Sequence, residues 1–180
     1  AGKVELDRLK IGDRPTELLA LLGVLPRRLE GSLSDTDRLR GDPLLSFCMA
    51  PHAPYTVSDA TLERVVTLAA QLDLPIHIHI HETRAEIEDS LRLHGLRPLE
   101  RLHRLGILGP GLIGVHAAHL EADEIRLLAK FDCSIAHCPS SNMKLGSGIA
   151  PIVAMLEQGL RIGLGTDGAA SNNRLDIFQE

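Results

Sequence analysis

The stretch PIHIHIHE, residues 75–82, decides the fold that the sequence predicts. Isoleucine and histidine alternate strictly in it, and alternating residues of a β-strand point to opposite faces of the sheet. We therefore predict a strand over 75–80 that turns its isoleucines toward packed helices and turns His77, His79 and His81 to the other face. Each of these imidazoles would need its own polar partner if it were only a core residue. The pattern therefore indicates a face of the sheet that carries chemistry.

Short apolar runs and helical patterns alternate on both sides of this strand. The predicted strands are 44–49, 75–80, 112–117, 133–138 and 160–165. The predicted helices are 58–73, 84–95, 98–106, 121–131 and 150–159, the first with Ser58 as its N-cap. This alternation is typical of βαβ units with a parallel sheet. Such a series fits either an open doubly wound sheet or most of an eight-stranded barrel.

Composition limits the classes of partner. The net charge of -5 and a pI near 6.0, without a long basic run, give no electrostatic footprint for nucleic acid or an anionic membrane. We expect a small-molecule partner, no membrane span and no signal peptide. The three cysteines do not form a secreted disulfide pattern, so we expect a cytoplasmic protein. Residues 1–43 predict one or two amphipathic helices and no strand.

Histidine or aspartate closes every predicted strand. Because the carboxyl ends of parallel strands form the ligand-binding edge of such folds, these side chains are expected to converge. The residues concerned are His52, His79, Glu82, His116, His119, His137 and Asp167. A cation held by imidazole and carboxylate would satisfy several of them together. We predict His79 and Asp167 as metal ligands, a nitrogen and oxygen set that suits zinc or iron.

Three of these residues also have ordinary structural roles. Glu82 can lean over the site, or it can serve as the N-terminal carboxylate of the helix that begins at Arg84. His116 can accept a proton from a water molecule in the site, or it can be a hydrogen-bonded core histidine. Asp167 can bind metal, or it can form the turn that an Asp-Gly pair favours.

Five segments taken together resemble the amidohydrolase superfamily, and in particular its branch of 5-methylthioadenosine/S-adenosylhomocysteine deaminases. They are APHAPY (50–55), HIHET (79–83), GVHAAHL (114–120), HCPSSNMKLGSGIAP (137–151) and GTDGAASNN (165–173). The resemblance covers residues 44–180, in the order of strands four to eight of the family's barrel. It implies an α/β fold, a partial (β/α)8 TIM-type barrel of parallel strands with flanking helices that lacks the early strands.

The resemblance also implies roles for single residues. His79 and Asp167 would bind zinc, with iron as the other metal, and His52 would contact the substrate. Glu82 would protonate a ring nitrogen of adenine, and His116, which is not a ligand, would accept a proton from water together with Asp167. Glu82 and Asp167 would both contact the substrate. The implied reaction converts an adenine nucleoside, methylthioadenosine or S-adenosylhomocysteine, to its inosine analogue and ammonia, and Ser141 and Asn142 would lie in a loop nearby.

The sequence departs from the family in the residues that the early strands would supply, and it leaves alternatives open. The family takes two further zinc ligands from a His-x-His pair on strand one, and no histidine precedes His52. One alternative is an amidohydrolase that acts on a guanine, cytosine or triazine-type ring, and another is a fragment without catalytic activity. A third alternative is a doubly wound nucleotide-binding domain, which would need a G-x-G-x-x-G loop between a strand and a helix. An apolar sheet edge without the early strands predicts association, such as a homo-oligomer.

Overall fold

The computed structural model describes residues 47–180 as four strands and six helices. The strands are β1 (Ile76–Ile80), β2 (Leu112–His116), β3 (Ser134–His137) and β4 (Arg161–Leu164). The helices are α1 (Asp59–Leu72), α2 (Arg84–His94), α3 (Pro98–Arg104), α4 (Ala122–Lys130), α5 (Pro139–Leu145) and α6 (Ile152–Glu157). The helices predicted in residues 1–43 lie outside the described residues.

The sheet is parallel and its strands follow one another in chain order, β1-β2-β3-β4. A doubly wound sheet reverses its strand order at a switch point, whereas a barrel adds each strand beside the last. The first predicted strand contributes only an isolated parallel bridge between Met49 and Ile76, and residues 44–46 are outside the described range. The order of strands therefore agrees with a segment of a barrel.

The core lies between the sheet and its helices, on the isoleucine face of β1. Ile76, Ile78 and Ile80 are all buried there, together with leucines from the helices, as the alternation predicted. Gly114 of β2 faces the same layer, and a Cβ at this position would lie 2.5 Å from Cδ1 of Ile80. Glycine therefore allows the isoleucine to pack directly on the neighbouring strand.

Helix caps follow the sequence closely. Ser58 caps α1 by accepting from Thr61 N (3.3 Å), and Gly95 ends α2 with a φ of 66°. Between 47 and 180 there is no helix with the length and apolar character needed to cross a membrane.

Helix α5 was not predicted, because Ser141 and Asn142 were expected to lie in a loop. The helix begins at Pro139, the first helical position, where proline is favoured because its missing N–H has no partner there in any case. Its short, polar sequence has no apolar stripe that periodicity could detect. Helix α5 is important for the site because it carries Ser141 and Asn142.

Arg101 of α3 anchors the loop that precedes α1 and carries His52. Its side chain is 5% exposed and donates to Asp59 Oδ1 (2.6 Å), Pro54 O (2.5 Å) and Val57 O (3.1 Å). The guanidinium therefore satisfies two backbone carbonyls that helices and strands leave unpaired.

Substitution of Arg101 by Met is expected to lower the free energy of unfolding by about 3 kcal/mol, because both carbonyls lose a charged donor. Urea denaturation measures this loss. The matched control is R104M on the same helix, where an exposed arginine pairs with Glu100 and about 0.5 kcal/mol is expected. Equal effects of the two substitutions would contradict the anchoring role.

Candidate functional site

Three predicted site residues converge at the carboxyl end of the sheet. One potential ligand atom from each of His79, His116 and Asp167 lies within 4.8 Å of the other two. His79 is on β1, His116 ends β2, and Asp167 follows β4. Segments far apart in sequence thus bring two imidazoles and a carboxylate together.

The ring of His79 is oriented by the backbone of His52. The His52 carbonyl accepts from His79 N (3.1 Å) and lies 2.6 Å from His79 Nδ1. Since a carbonyl can only accept, Nδ1 carries a proton, and in the neutral ring Nε2 is the nitrogen that has the lone pair. A histidine prepared in this way is suited to bind a metal.

His116 reaches the site because its backbone leaves the strand geometry. Its Cα is paired with Ile80, whose side chain points into the core, but its φ is 70° and its ring stacks on that of His79 at 5.3 Å. Nδ1 lies 2.9 Å from Oδ1 of Asn142. With this orientation of the amide, Nδ1 donates, and the lone pair of Nε2 faces the site, 3.9 Å from Oδ2 of Asp167.

Asp167 combines the turn role and the site role that the sequence left open. Its φ is 58°, and its Oδ1 accepts from Gly168 N at 2.7 Å, as in a turn. Its Oδ2 accepts from the hydroxyls of Ser141 (2.6 Å) and Ser171 (2.7 Å). Burial alone would raise the pKa of this carboxyl, but these hydrogen bonds outweigh it and lower the pKa below the ordinary value. The carboxylate is thus stabilised in its charged form.

Glu82 points into the site from the loop after β1. Its Oε2 lies 3.9 Å from Nε2 of His116, and its Oε1 accepts weakly from Ser147 Oγ at 3.4 Å. The N-terminus of α2 is capped by Thr83, not by Glu82. The carboxylate is therefore available to a ligand.

His52 lies at the exposed side of the same group. Its ring is 4.9 Å from that of His79, and Tyr55 meets it edge-on at 5.8 Å. Nδ1 bonds Oγ1 of Thr56 at 3.0 Å. Desolvation and the neighbouring His79 lower the pKa of His52, so a neutral ring is favoured. Such a ring can contact a neutral ligand beside the cluster.

The residues present fit a metal ion. His79 directs Nε2 into the site and Asp167 is ionised, as metal ligands require. For bonds of about 2.1 Å the ligand atoms must approach one another to about 3.4 Å, so the present separations must shrink by up to about 1.4 Å. The nitrogen of His79 and the oxygen of Asp167 suit zinc or iron, and His116 lies beside them.

His81 does not join the cluster, so the prediction that it shares a face with His77 and His79 was wrong. The strand ends at Ile80, and His81 has a φ of 50°, which turns its side chain into the protein. Its Nε2 accepts from Leu99 N (3.1 Å) and its Nδ1 faces the carbonyl of His119 (3.3 Å).

Two other histidines that close strands also stay outside the cluster. Nε2 of His119 lies 2.5 Å from the carbonyl of Ser147. Nδ1 of His137 is buried, and within residues 47–180 it has no hydrogen-bond partner. Both sit near the site without offering a ligand atom to the three-residue group.

The buried ring of His81 predicts a loss of stability in acid. Burial lowers its pKa from 6.5 to about 4, and its contacts with Leu99 N and His119 O suit the neutral form. Because the folded-state pKa is depressed, its contribution of about 3 kcal/mol is present above pH 6.5 and disappears as the pH falls to about 4. In H81Q we expect this part of the pH dependence of unfolding to vanish. H94Q, at an exposed position on α2, should leave it unchanged, and identical profiles for both variants would contradict the prediction.

Sequence reasoning missed the hydrogen bonds that orient the site. Ser141 and Asn142 were noted only as nearby loop residues, yet one bonds Asp167 and the other His116. The role of Ser171 was not foreseen. The proline at the start of α5 was the one local signal that this segment could hold side chains rigidly.

Comparisons with known proteins identify the group to which this chain is similar. Residues 27–180 match the Amidohydrolase family. The chain is 49% identical over 144 residues to a 5-methylthioadenosine/S-adenosylhomocysteine deaminase of Teredinibacter turnerae, which covers 80% of this chain and 33% of that protein. It is 46% identical over 139 residues to a 5'-deoxyadenosine deaminase of Methanothermobacter thermautotrophicus, covering 77% of this chain and 33% of that protein.

Solved structures show the same relationship. An adenosine deaminase from Xanthomonas campestris with bound zinc superposes with a TM-score of 0.78 at 52% identity, over 80% of this chain and 33% of that one. The atrazine chlorohydrolase of Arthrobacter aurescens, complexed with zinc, gives 0.67 at 28% identity, over 72% of this chain and 28% of that one. The chain thus spans about a third of the length of the curated relatives it matches. Its parallel sheet with flanking helices is part of a TIM-type barrel, and the chain belongs to the amidohydrolase family.

Proposed function

We propose that this protein hydrolyses the amino group of an adenine nucleoside, 5-methylthioadenosine or S-adenosylhomocysteine, and releases the inosine analogue and ammonia. The observation that carries the proposal is the convergence of His79, His116 and Asp167 at one rim of the sheet, with Glu82 reaching over them. The names of the relatives, which are nucleoside deaminases at 46–49% identity, support the choice of substrate.

His79 and Asp167 are the residues that would hold the metal, for which zinc is our proposal and iron the alternative. A zinc ion at this position would lower the pKa of a water molecule to about 7, which supplies a nucleophile at neutral pH. Asp167 is kept ionised by its hydrogen bonds, and the contact between Nδ1 of His116 and Oδ1 of Asn142 directs Nε2 of His116 toward the site. Both can therefore accept the proton that the attacking water gives up.

Glu82 and His52 act on the substrate in this scheme. Glu82 protonates a ring nitrogen of adenine, which makes C6 electrophilic, and the same carboxyl then helps ammonia to leave. His52, on the exposed side, contacts the sugar or the purine edge. The free thiols of Cys48, Cys133 and Cys138 fit the reducing cytoplasm that we propose as its location.

The proposal is tested on the protein as its gene encodes it. Methylthioadenosine, S-adenosylhomocysteine and 5'-deoxyadenosine are each incubated with the purified protein, and the loss of adenine absorbance and the release of ammonia are followed. We expect turnover of at least one nucleoside, and no turnover of any would overturn the assignment. Guanine, cytosine and triazine-type rings belong in the same panel, because the structure also resembles that of the atrazine chlorohydrolase.

The metal content of the purified 180-residue chain tests the alternative of a non-catalytic fragment. Stoichiometric zinc would argue against that alternative. A chain that folds but retains no metal would support it, since structural and catalytic zinc usually has three or four protein ligands.

A further inference from the structure

We propose that Glu86 is a positioning residue, which aims the carboxylate of Glu82 by holding the backbone of the loop between β1 and α2. This inference rests on the proposed function only in the role that it assigns to Glu82. Glu86 has no hydrogen bond to His79, His116 or Asp167 in the described part of the chain, so it would act through Glu82.

The carboxylate of Glu86 binds two consecutive backbone N–H groups. Its Oε2 accepts from Glu82 N at 2.9 Å, and its Oε1 accepts from His81 N at 3.2 Å. The residue is only 5% exposed. Each oxygen of this buried carboxylate thus accepts from one backbone N–H, that of His81 or that of Glu82.

The arrangement differs from an ordinary helix cap. Thr83 is the N-cap of α2, and its hydroxyl accepts from Glu86 N at 3.2 Å. In a capping box the glutamate at the third helical position returns to the N–H of the N-cap residue itself. Here it reaches past Thr83 to the two preceding residues. The carboxylate of Glu86 therefore restrains the loop between β1 and α2, and not only the first turn of the helix.

This loop needs such a restraint because its backbone reverses direction. The φ of 50° at His81 is uncommon for a residue with a side chain, and it sends the ring of His81 inward to Leu99. Glu82 then turns back toward the site, with Oε2 at 3.9 Å from His116 Nε2. The N–H groups of His81 and Glu82 bond Glu86 instead of a neighbouring strand.

Within the described residues, Glu86 is buried without the cation that usually accompanies a buried carboxylate. Burial raises the pKa of Glu86 to about 7, and among residues 47–180 no lysine or arginine forms an ion pair with it. Thr83 already satisfies one donor of the helix end. A carboxyl group buried without a cation in this part of the chain thus binds two N–H groups of the loop that carries Glu82.

The test substitutes Glu86 by Gln in the protein as its gene encodes it. Glutamine has nearly the same shape but only one acceptor oxygen, so one of the two N–H groups meets an NH2 group instead. We expect kcat with the adenine nucleoside to fall about 10- to 100-fold. KM and metal content should stay within about twofold of the unmodified protein, because the substitution misplaces a group that acts in the transition state. The matched control is E88Q, an exposed position on the same helix, with unchanged kcat.

A double-mutant cycle separates positioning from general damage. If Glu86 acts through Glu82, then E86Q has no further effect on kcat in an E82Q background. Unchanged kcat in E86Q, or effects of the two substitutions that multiply, would overturn the proposal. Should E86Q not fold, E86D keeps the charge but is too short to reach both N–H groups, and it enters the same cycle.

A crystal structure of the E86Q protein decides the question even if adenine nucleosides are not turned over. We expect Oε2 of Glu82 to move by about 1 Å or more from its place beside His116, on the scale of misplacement that disables a catalytic group. An unmoved Glu82 would overturn the positioning role. Absence of turnover in the unmodified protein, by contrast, would refute the proposed function alone.

Discussion

Substitution of Glu82 by Gln is expected to lower kcat for adenine nucleoside hydrolysis by about 1,000-fold, within the range that general acid–base groups contribute. Glutamine keeps the shape of the side chain but has no carboxyl proton to give to the ring nitrogen. Glu82 is not a member of the three-residue cluster, so the zinc content should not change. The measurement is the steady-state loss of adenine absorbance at saturating nucleoside, with zinc determined on the same sample.

The control for this prediction is E63Q, at an exposed position on α1 that has no part in any function proposed for the protein. Its kcat should match that of the unmodified protein. If E82Q retained more than a tenth of the activity, the proton-transfer role of Glu82 would be wrong. A simultaneous loss of zinc would instead show that Glu82 is a ligand, which contradicts the same scheme.

The fold was predictable where one physical rule dominates. Alternation in PIHIHIHE placed the isoleucines in the core, and apolar runs located β2, β3 and β4 to within one residue at each end. Of the strand predicted at 44–49, the described residues form only the bridge at Met49. Helix α5 was missed because its two large apolar residues, Met143 and Leu145, lie two positions apart and form no helical stripe. Its position is decided by tertiary contacts, such as those of Ser141 and Asn142, which periodicity does not record.

The sequence predicted which residues lie near the site, but it did not predict where their side chains point. Strand ends indicated His79, His116 and Asp167 as candidates, and the structure brings these three together. Strand alternation would have left His116 beside Ile80 and kept His81 in line with His79. The left-handed backbone at His116 and His81 turns the first side chain into the site and the second away from it. Such conformations are uncommon for residues with side chains, so a sequence rule built on regular strands cannot anticipate them.

The hydrogen bonds around the site could not be predicted from the sequence either. Asn142 lies 26 positions from His116, and Ser141 lies 26 positions from Asp167. No local pattern links partners at that separation, although both pairs are decisive for what the site can do. The fold and the candidate site residues thus followed from the sequence, whereas the surrounding hydrogen bonds required coordinates.

Substitution of Asp167 by Asn is expected to weaken zinc binding by at least about 100-fold, because loss of even an outer partner of a ligand costs 10- to 100-fold. Asparagine has no negative charge to offer the ion. Its NH2 group would also face the hydroxyl and N–H donors that bond the carboxylate of Asp167 in the unmodified protein. Those donors come from Ser141, Ser171 and Gly168. Competition with a chelator measures the dissociation constant on the protein as its gene encodes it.

Two further variants make this result specific to coordination. D123N removes an exposed carboxylate at the start of α4 and should leave zinc affinity unchanged. S141A removes only a donor to Asp167, so a loss of about 10-fold is expected, the lower end for an outer partner. This order of affinities follows if the hydroxyl orients a carboxylate that itself binds the ion. Zinc bound equally tightly by D167N would show that the carboxylate is only a turn residue, and the hydrolytic scheme would lose its metal ligand.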